Sequence, residues 1–205
     1  MYRRKLGYSR VKNLFRFASP KMGRVLTLES SLEFDACFHF EYSPEIEHFE
    51  VQPEGFYYSF NGRSCPYTPD FAVVERGMRR FIEVKPQRKA LRSEFRSRFH
   101  AKQIQAKALG ISLVLVTDRQ IRVNPILNNL KLLHRYSGFQ SATPLHLILL
   151  KLVKYLGIIS VVDLVSECGE EPGLVLATTL ALVAKGQLTT DLVGAELGLD
   201  TRVWS

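Results

Sequence analysis

Asp70, Glu83 and Lys85 are the residues whose types and spacing suit chemistry on an anion. They lie in the stretch YTPDFAVVERGMRRFIEVKP, from Tyr67 to Pro86. Its apolar residues read as two strands: Phe71, Val73 and Val74 in the first, Phe81, Ile82 and Val84 in the second. Gly77, beside Arg76, marks the turn. Strand side chains alternate faces, so Glu83 and Lys85 point one way and Val84 points into the core. A two-residue turn at Arg76-Gly77 sets Asp70 directly across from Glu83, with Cβ atoms about 5 Å apart. Two carboxylates that close repel unless a cation or a proton sits between them. Such oxygen donors suit Mg²⁺ or Mn²⁺. Lys85 is placed to hold an attacking water or to offset charge on a phosphate. A plain surface hairpin with an ordinary ion pair fits the same residues.

The elements that must position this hairpin read as follows. Residues 28–42, LESSLEFDACFHFEY, form a helix closed by Ser43-Pro44. Within it, Ser30-x-x-Glu33 fits a capping box, in which Glu33 only holds a backbone N–H. The alternative is a third carboxylate aimed at the hairpin. Ile46, Phe49 and Val51 suggest an extended piece entering the sheet. Residues 56–60 and 63–67 are strands around Asn61-Gly62, a strong two-residue hairpin signal. Residues 91–109 read as one basic helix ended by Gly110, with His100, Lys102, Gln103 and Lys107 along it. ISLVLVT, residues 111–117, is a buried strand. Residues 124–136 read as a helix with Ile126, Leu127, Leu130 and Leu133 on its inner face. Gly138 to Thr143 reads as the linker. After it, Thr143-Pro144 opens a helix as N-cap and first-turn proline. Two further helices, over 161–168 and 172–185, and a wing over 186–192 suggest a small helical, winged-helix-like module.

Charge is unevenly placed. The 205-residue chain carries a formal +8. From Met1 to Arg24 there are eight Lys or Arg and no acid, and from Lys85 to Lys107 eight more bases face only Glu94. A polyanion suits the first part of the chain. In the arm, Arg3, Arg4, Lys5, Arg10, Lys12, Arg16, Lys21 and Arg24 are candidate phosphate contacts, interleaved with Tyr2, Tyr8, Phe15 and Phe17 that stack on sugars or pack on the domain. Arg88, Lys89, Lys102 and Gln103 are further DNA-binding candidates, the last two reading more simply as a solvated helix face. From Leu156 on, only Lys185 and Arg202 oppose seven acids. That part reads as a protein-docking module, with Leu197, Leu199, Val203 and Trp204 as its apolar surface or, equally, folded back on its own helices. Cys37, Cys65 and Cys168 are far apart and without metal-ligand spacing, which suits reduced thiols in a cytoplasm. No signal peptide or membrane span is expected.

The string Ser31-Leu32-Glu33, Pro44-Glu45-Ile46, Gln52-Pro53, Tyr67-Thr68-Pro69-Asp70-Phe71 and Glu83-Val84-Lys85-Pro86 resembles the N-terminal nuclease domain of TnsA. TnsA is the endonuclease subunit of heteromeric, in part CRISPR-directed, transposases and belongs to the PD-(D/E)xK, restriction-endonuclease-like superfamily. The resemblance implies an α/β core, a mixed sheet flanked by helices, over residues 25–137, after a basic arm at 1–24 and before a winged-helix-like domain at 143–205. It implies that Glu33, Asp70, Glu83 and Lys85 are catalytic, and that Glu33, Asp70, Glu83 and the backbone carbonyl of Val84 hold Mg²⁺, with Mn²⁺ substituting. Some members carry Gln where this chain has Glu83. By the same resemblance the reaction is hydrolysis of the 5′ strands at transposon ends. The partners are double-stranded DNA, the integrase-like transposase TnsB and the ATPase regulator TnsC, in a bacterial cytoplasm. A stand-alone restriction or repair nuclease, or a non-catalytic DNA-binding scaffold, are the alternatives.

Overall fold

The computed structural model describes residues 13–138 and 143–205. The chain divides into two compact units, at Arg122/Val123.

In the first unit, β1 (Phe15–Ser19) and β2 (Arg24–Leu28) form a hairpin, followed by α1 (Ser31–Tyr42) and β3 (Ile46–Val51). A second hairpin, β4 (Phe56–Phe60) and β5 (Arg63–Tyr67), leads to β6 (Phe71–Glu75) and β7 (Met78–Lys85). The short α2 (Gln87–Ala90), α3 (Ser93–Ala108), β8 (Ser112–Thr117) and α4 (Asp118–Ile121) complete it. The central sheet has the order β3-β6-β7-β8. Its first two pairings are antiparallel and β7–β8 is parallel, so the sheet is mixed.

Strand alternation divides the core between two faces. On one, Phe71 and Phe49 meet Phe40 of α1, with ring centroids 5.0 and 5.7 Å apart. The far side of α1 is covered in turn by β1 and β2, where Phe17 packs edge-on against Phe34 and Phe38. A helix buried on nearly all sides, as α1 is, has cover on both faces. On the other face, Ala72, Phe81 and Leu113 pack with Phe99 and Ala106 of α3 and with Phe56, Tyr58 and Tyr67 of the second hairpin.

The arm expected at residues 1–24 is therefore in part a folded hairpin, with Phe17 and Leu26 in the core. Residues 1–12, including Arg3, Arg4, Lys5, Arg10 and Lys12, lie outside the described residues. The basic helix expected over 91–109 is α3, Ser93–Ala108, and the short α2 precedes it across Leu91-Arg92.

The second unit contains α5 (Ile126–Tyr136), α6 (Pro144–Leu156), β9 (Ile159–Ser160), α7 (Val161–Cys168), α8 (Pro172–Ala184), β10 (Thr189–Thr190) and β11 (Arg202–Trp204). Its three strands pair antiparallel in the order β10-β11-β9. The core is Leu149, Val153, Val161, Leu164, Val175, Leu182 and Val203. Thr143 caps α6 through a box with His146.

Two expectations change here, and a third, open between two readings, closes. Residues 124–136 do not belong with the sheet, because α5 packs on α8 in the second unit. Its Asn129, 1% exposed, donates to the carbonyls of Leu192 and Ala195 and accepts from Leu197 N–H, which ties the 192–197 loop to α5. The segment expected as a wing, 186–192, holds β10, and the excursion between paired strands is instead 191–201. Val203 is fully buried in β11 and Trp204 is partly buried beside it, so the chain end folds back on its own unit. No helix among the described residues is long and apolar enough to cross a membrane.

Candidate active site

The β6–β7 hairpin sets the geometry. Arg76 and Gly77 both take positive φ, 49° and 73°, the conformation of a tight two-residue turn. Glu75 then pairs with Met78 and the register runs on to Phe71 with Ile82. One step further lie Asp70 and Glu83, at the end of the sheet where β6 begins and β7 nears its end. The Asp70 carboxylate anchors there by accepting the Val84 N–H through Oδ2 at 2.8 Å.

Lys85 is the centre of the cluster. Its Nζ lies 3.0 Å from Asp70 Oδ2, 3.2 Å from Glu83 Oε1 and 3.0 Å from the Val84 carbonyl oxygen. A second ammonium, Lys102 of α3, reaches Glu83 Oε1 at 3.5 Å. It also stands 3.9 Å above the Tyr67 ring. Lys102 is thus drawn inward to the site, although helical spacing alone suits a solvated face. The second oxygen of Glu83, Oε2, accepts from the Tyr67 hydroxyl at 2.5 Å.

Burial and charge pull these groups in opposite directions. Burial first, and Glu83 second, push the Asp70 carboxyl up to about 6, against the opposing pull of Lys85 and the Val84 N–H. Burial lowers the Lys85 ammonium, but Asp70 and Glu83 more than reverse it, and it lies above the ordinary lysine value. For Lys102 burial prevails over Glu83, and its proton is held less tightly than usual. Burial and the Glu83 charge both raise the Tyr67 phenol, so it stays a donor. Such opposed shifts in one cluster mark a candidate functional site.

Glu33 is placed differently from the expectation. Its Oε1 accepts from the Ser30 hydroxyl at 2.7 Å and its Oε2 from the Glu29 N–H at 3.1 Å, while Ser30 Oγ accepts the Glu33 N–H. Ser30 thus caps α1, and Glu33 reaches back to the N–H of Glu29 rather than that of Ser30, one residue beyond a true capping box. Its charge still reaches Asp70, which it raises slightly. Among the described residues no three His, Cys, Asp or Glu side chains stand close enough to share a metal ion. The gathered set is therefore Asp70, Glu83, Lys85 and Lys102 with the Val84 carbonyl.

Two DNA-binding expectations are corrected. Lys21 donates to the carbonyls of Phe40, Ser43 and Ile46, each at 2.8 Å, where α1 ends. Its ammonium caps a helix and leaves nothing for a phosphate. Gln103 donates to the Leu113 carbonyl at 3.0 Å and so protects the outer edge of β8. Arg16, Arg24, Arg88 and Lys89 are exposed.

Residues 43–118 match the family described as TnsA-like endonuclease, N-terminal. This segment is similar to the N-terminal endonuclease domain of the TnsA-like family. It spans β3 to β8 and holds Asp70, Glu83, Lys85, Lys102 and Tyr67. Glu33 and α1 precede the matched part of the TnsA-like domain. No curated protein matches the chain. Tyr67 is the site residue that sequence reasoning passed over. Its contact with Glu83 joins the end of β5 to the end of β7, and no local spacing announces such a contact.

Proposed function

We propose that the first unit is a metal-dependent DNA endonuclease, the subunit of a cut-and-paste transposase that hydrolyses the 5′ strands of transposon ends. One observation carries this reading. Asp70 Oδ2, Glu83 Oε1 and the Val84 carbonyl converge on a single cation, the Lys85 ammonium, within 3.0–3.2 Å. Hard oxygen donors already gathered around a positive charge fit Mg²⁺ or Mn²⁺. Asp70, Glu83 and the Val84 carbonyl would hold the ion, with Glu33 as an outlying carboxylate. A divalent cation there supplies Lewis acidity toward a water and a phosphate oxygen.

The protein's own groups do the rest. Lys85 orients the attacking water and offsets charge on the phosphate, and Lys102 adds a second positive charge on the same side. The exposed Arg16, Arg24, Arg88 and Lys89 hold the flanking phosphates. The matched family supports an integrase-like transposase and an ATPase regulator as partners, with double-stranded DNA as substrate.

For the second unit we propose a winged-helix fold, supported by the order α6-β9-α7-α8-β10-β11 and by the β10-β11-β9 sheet. We further propose that it docks a protein. The helix that reads DNA in winged-helix modules follows the second one, and here that is α8. It carries no charged residue and packs against α5, α6 and α7.

The experiment is strand-specific cleavage of transposon-end DNA by the assembled transposase. Nicks in the 5′ strand that require Mg²⁺ and this subunit support the assignment. Full 5′ nicking by a folded Asp70→Ala protein, or in EDTA, overturns it.

A further inference from the structure

Tyr67 contacts one carboxylate of the cluster, Glu83, through the oxygen that faces away from Lys85. Glu83 is 4% exposed and has two oxygens with different surroundings. Oε1 faces Lys85 and Lys102, and Oε2 accepts from the Tyr67 hydroxyl at 2.5 Å. A carboxylate pivots easily about its last torsion. Left to itself, the Glu83 carboxylate would be free to turn about that torsion and offer either oxygen to the ammonium groups beside it. With Oε2 held, only Oε1 is offered to the point where Asp70 Oδ2 and the Val84 carbonyl also converge.

Tyr67 is itself held tightly. It is 6% exposed at the end of β5, edge-on to Phe56 and Tyr58 with ring centroids 5.2 and 6.3 Å away. Its backbone has no slack, since a Cβ on Gly55 would lie 2.0 Å from the Tyr67 carbonyl oxygen. The face of the same ring carries the Lys102 ammonium at 3.9 Å. A cation over a ring face is attracted to it, so the ring supports Lys102 beside Glu83.

We infer that Tyr67 is the positioning residue of the site: its hydroxyl fixes the Glu83 carboxylate so that one oxygen is presented to a divalent cation. This rests on the proposed metal-dependent reading. Groups that orient a metal-binding carboxylate commonly change affinity by roughly 10–100-fold when removed.

The test is Mn²⁺ binding to the intact chain, by calorimetric titration, for the wild type, Tyr67→Phe, Glu83→Gln and the double variant. Tyr67→Phe keeps the ring, its aromatic contacts and the support of Lys102, and thermal melting checks that it folds. The expected result is roughly 10–100-fold weaker Mn²⁺ binding in Tyr67→Phe, with no further weakening when the change is added to Glu83→Gln. Unchanged affinity in a folded Tyr67→Phe, or effects that simply add in the double variant, overturns the inference. A wild type that takes up no Mn²⁺, or a Glu83→Gln protein that binds it as tightly, overturns the metal-dependent reading beneath it instead.

Discussion

At the scale of residues, the site is two carboxylates and two ammonium groups within reach of one another. Replacing either end of its central pair, Asp70→Ala or Lys85→Ala, is expected to lower 5′-strand cleavage by more than about 10²-fold, the scale on which loss of one stabilising group acts. Strand-specific gels read this directly, and 3′ cutting by the partner transposase should persist in the same reactions. A different residue sets part of the pH dependence of folding. His39 lies on α1 with its ring Nε2 2.8 Å from the Ile121 carbonyl oxygen. Burial lowers it from the ordinary 6.5, against the raising effects of that hydrogen bond and of Asp35. The folded state therefore binds fewer protons here than the unfolded chain. His39 contributes stability that is complete above about pH 6.5 and is lost as pH falls through its lowered value. From pH 7.5 to 5 the wild-type denaturant midpoint is expected to fall relative to that of His39→Gln, the raised Asp70 carboxyl acting the other way in both proteins alike.

At the scale of elements, the charged residues divide by what their secondary structure asks of them. Lys21 follows β1 and satisfies three carbonyls where α1 ends, whereas Arg16 and Arg24 point into solvent from the hairpin. Burial lowers the Lys21 ammonium while Glu41 raises it, as expected of a cation enclosed by the fold. Lys21→Ala leaves buried acceptors short of a donor and is expected to cost about 1–3 kcal/mol in thermal unfolding. The salt dependence of DNA binding should stay as it is. Arg16→Ala and Arg24→Ala should do the reverse, leaving stability intact and lowering the salt slope by about one unit for each phosphate no longer neutralised. An unchanged melting curve for Lys21→Ala would show that water replaces the ammonium at no cost.

At the scale of the whole molecule, the chain is two units whose border lies before α5. Because α5 packs on α8 and Asn129 ties down the 192–197 loop, a fragment of residues 123–205 is expected to fold cooperatively. A fragment of residues 143–205 should be soluble only with difficulty and melt broadly, because its uncharged α8 loses its cover. Circular dichroism melts of the two fragments distinguish this border from one at the 138–143 linker. The folded fragment also permits a direct trial of docking: capture of the partner transposase or ATPase without a DNA shift is the expected result.

The sequence by itself determined the hairpin geometry. Asp70, Glu83 and Lys85 share a face because strands alternate and because Arg76-Gly77 allows only a tight turn, and both rules act over a few residues. The order of helices and strands was legible for the same reason, from the apolar runs and their punctuation at Asn61-Gly62 and Gly110, while the mixed sheet was implied only by the resemblance to TnsA. The capping role of Ser30 and Glu33 was equally local. Tertiary structure decided what distant segments do to one another. It drew Lys102 inward because Glu83 and the Tyr67 ring lie beneath α3, where helical spacing alone leaves it in water. It committed Lys21 to a helix end nineteen to twenty-five residues away, which composition counts only as one more positive charge. It moved α5 to the second unit, since an amphipathic pattern says that a face is buried but not against what. The Tyr67–Glu83 bond belongs to the same class: a hydroxyl and a carboxylate sixteen residues apart meet because two strand ends are packed together.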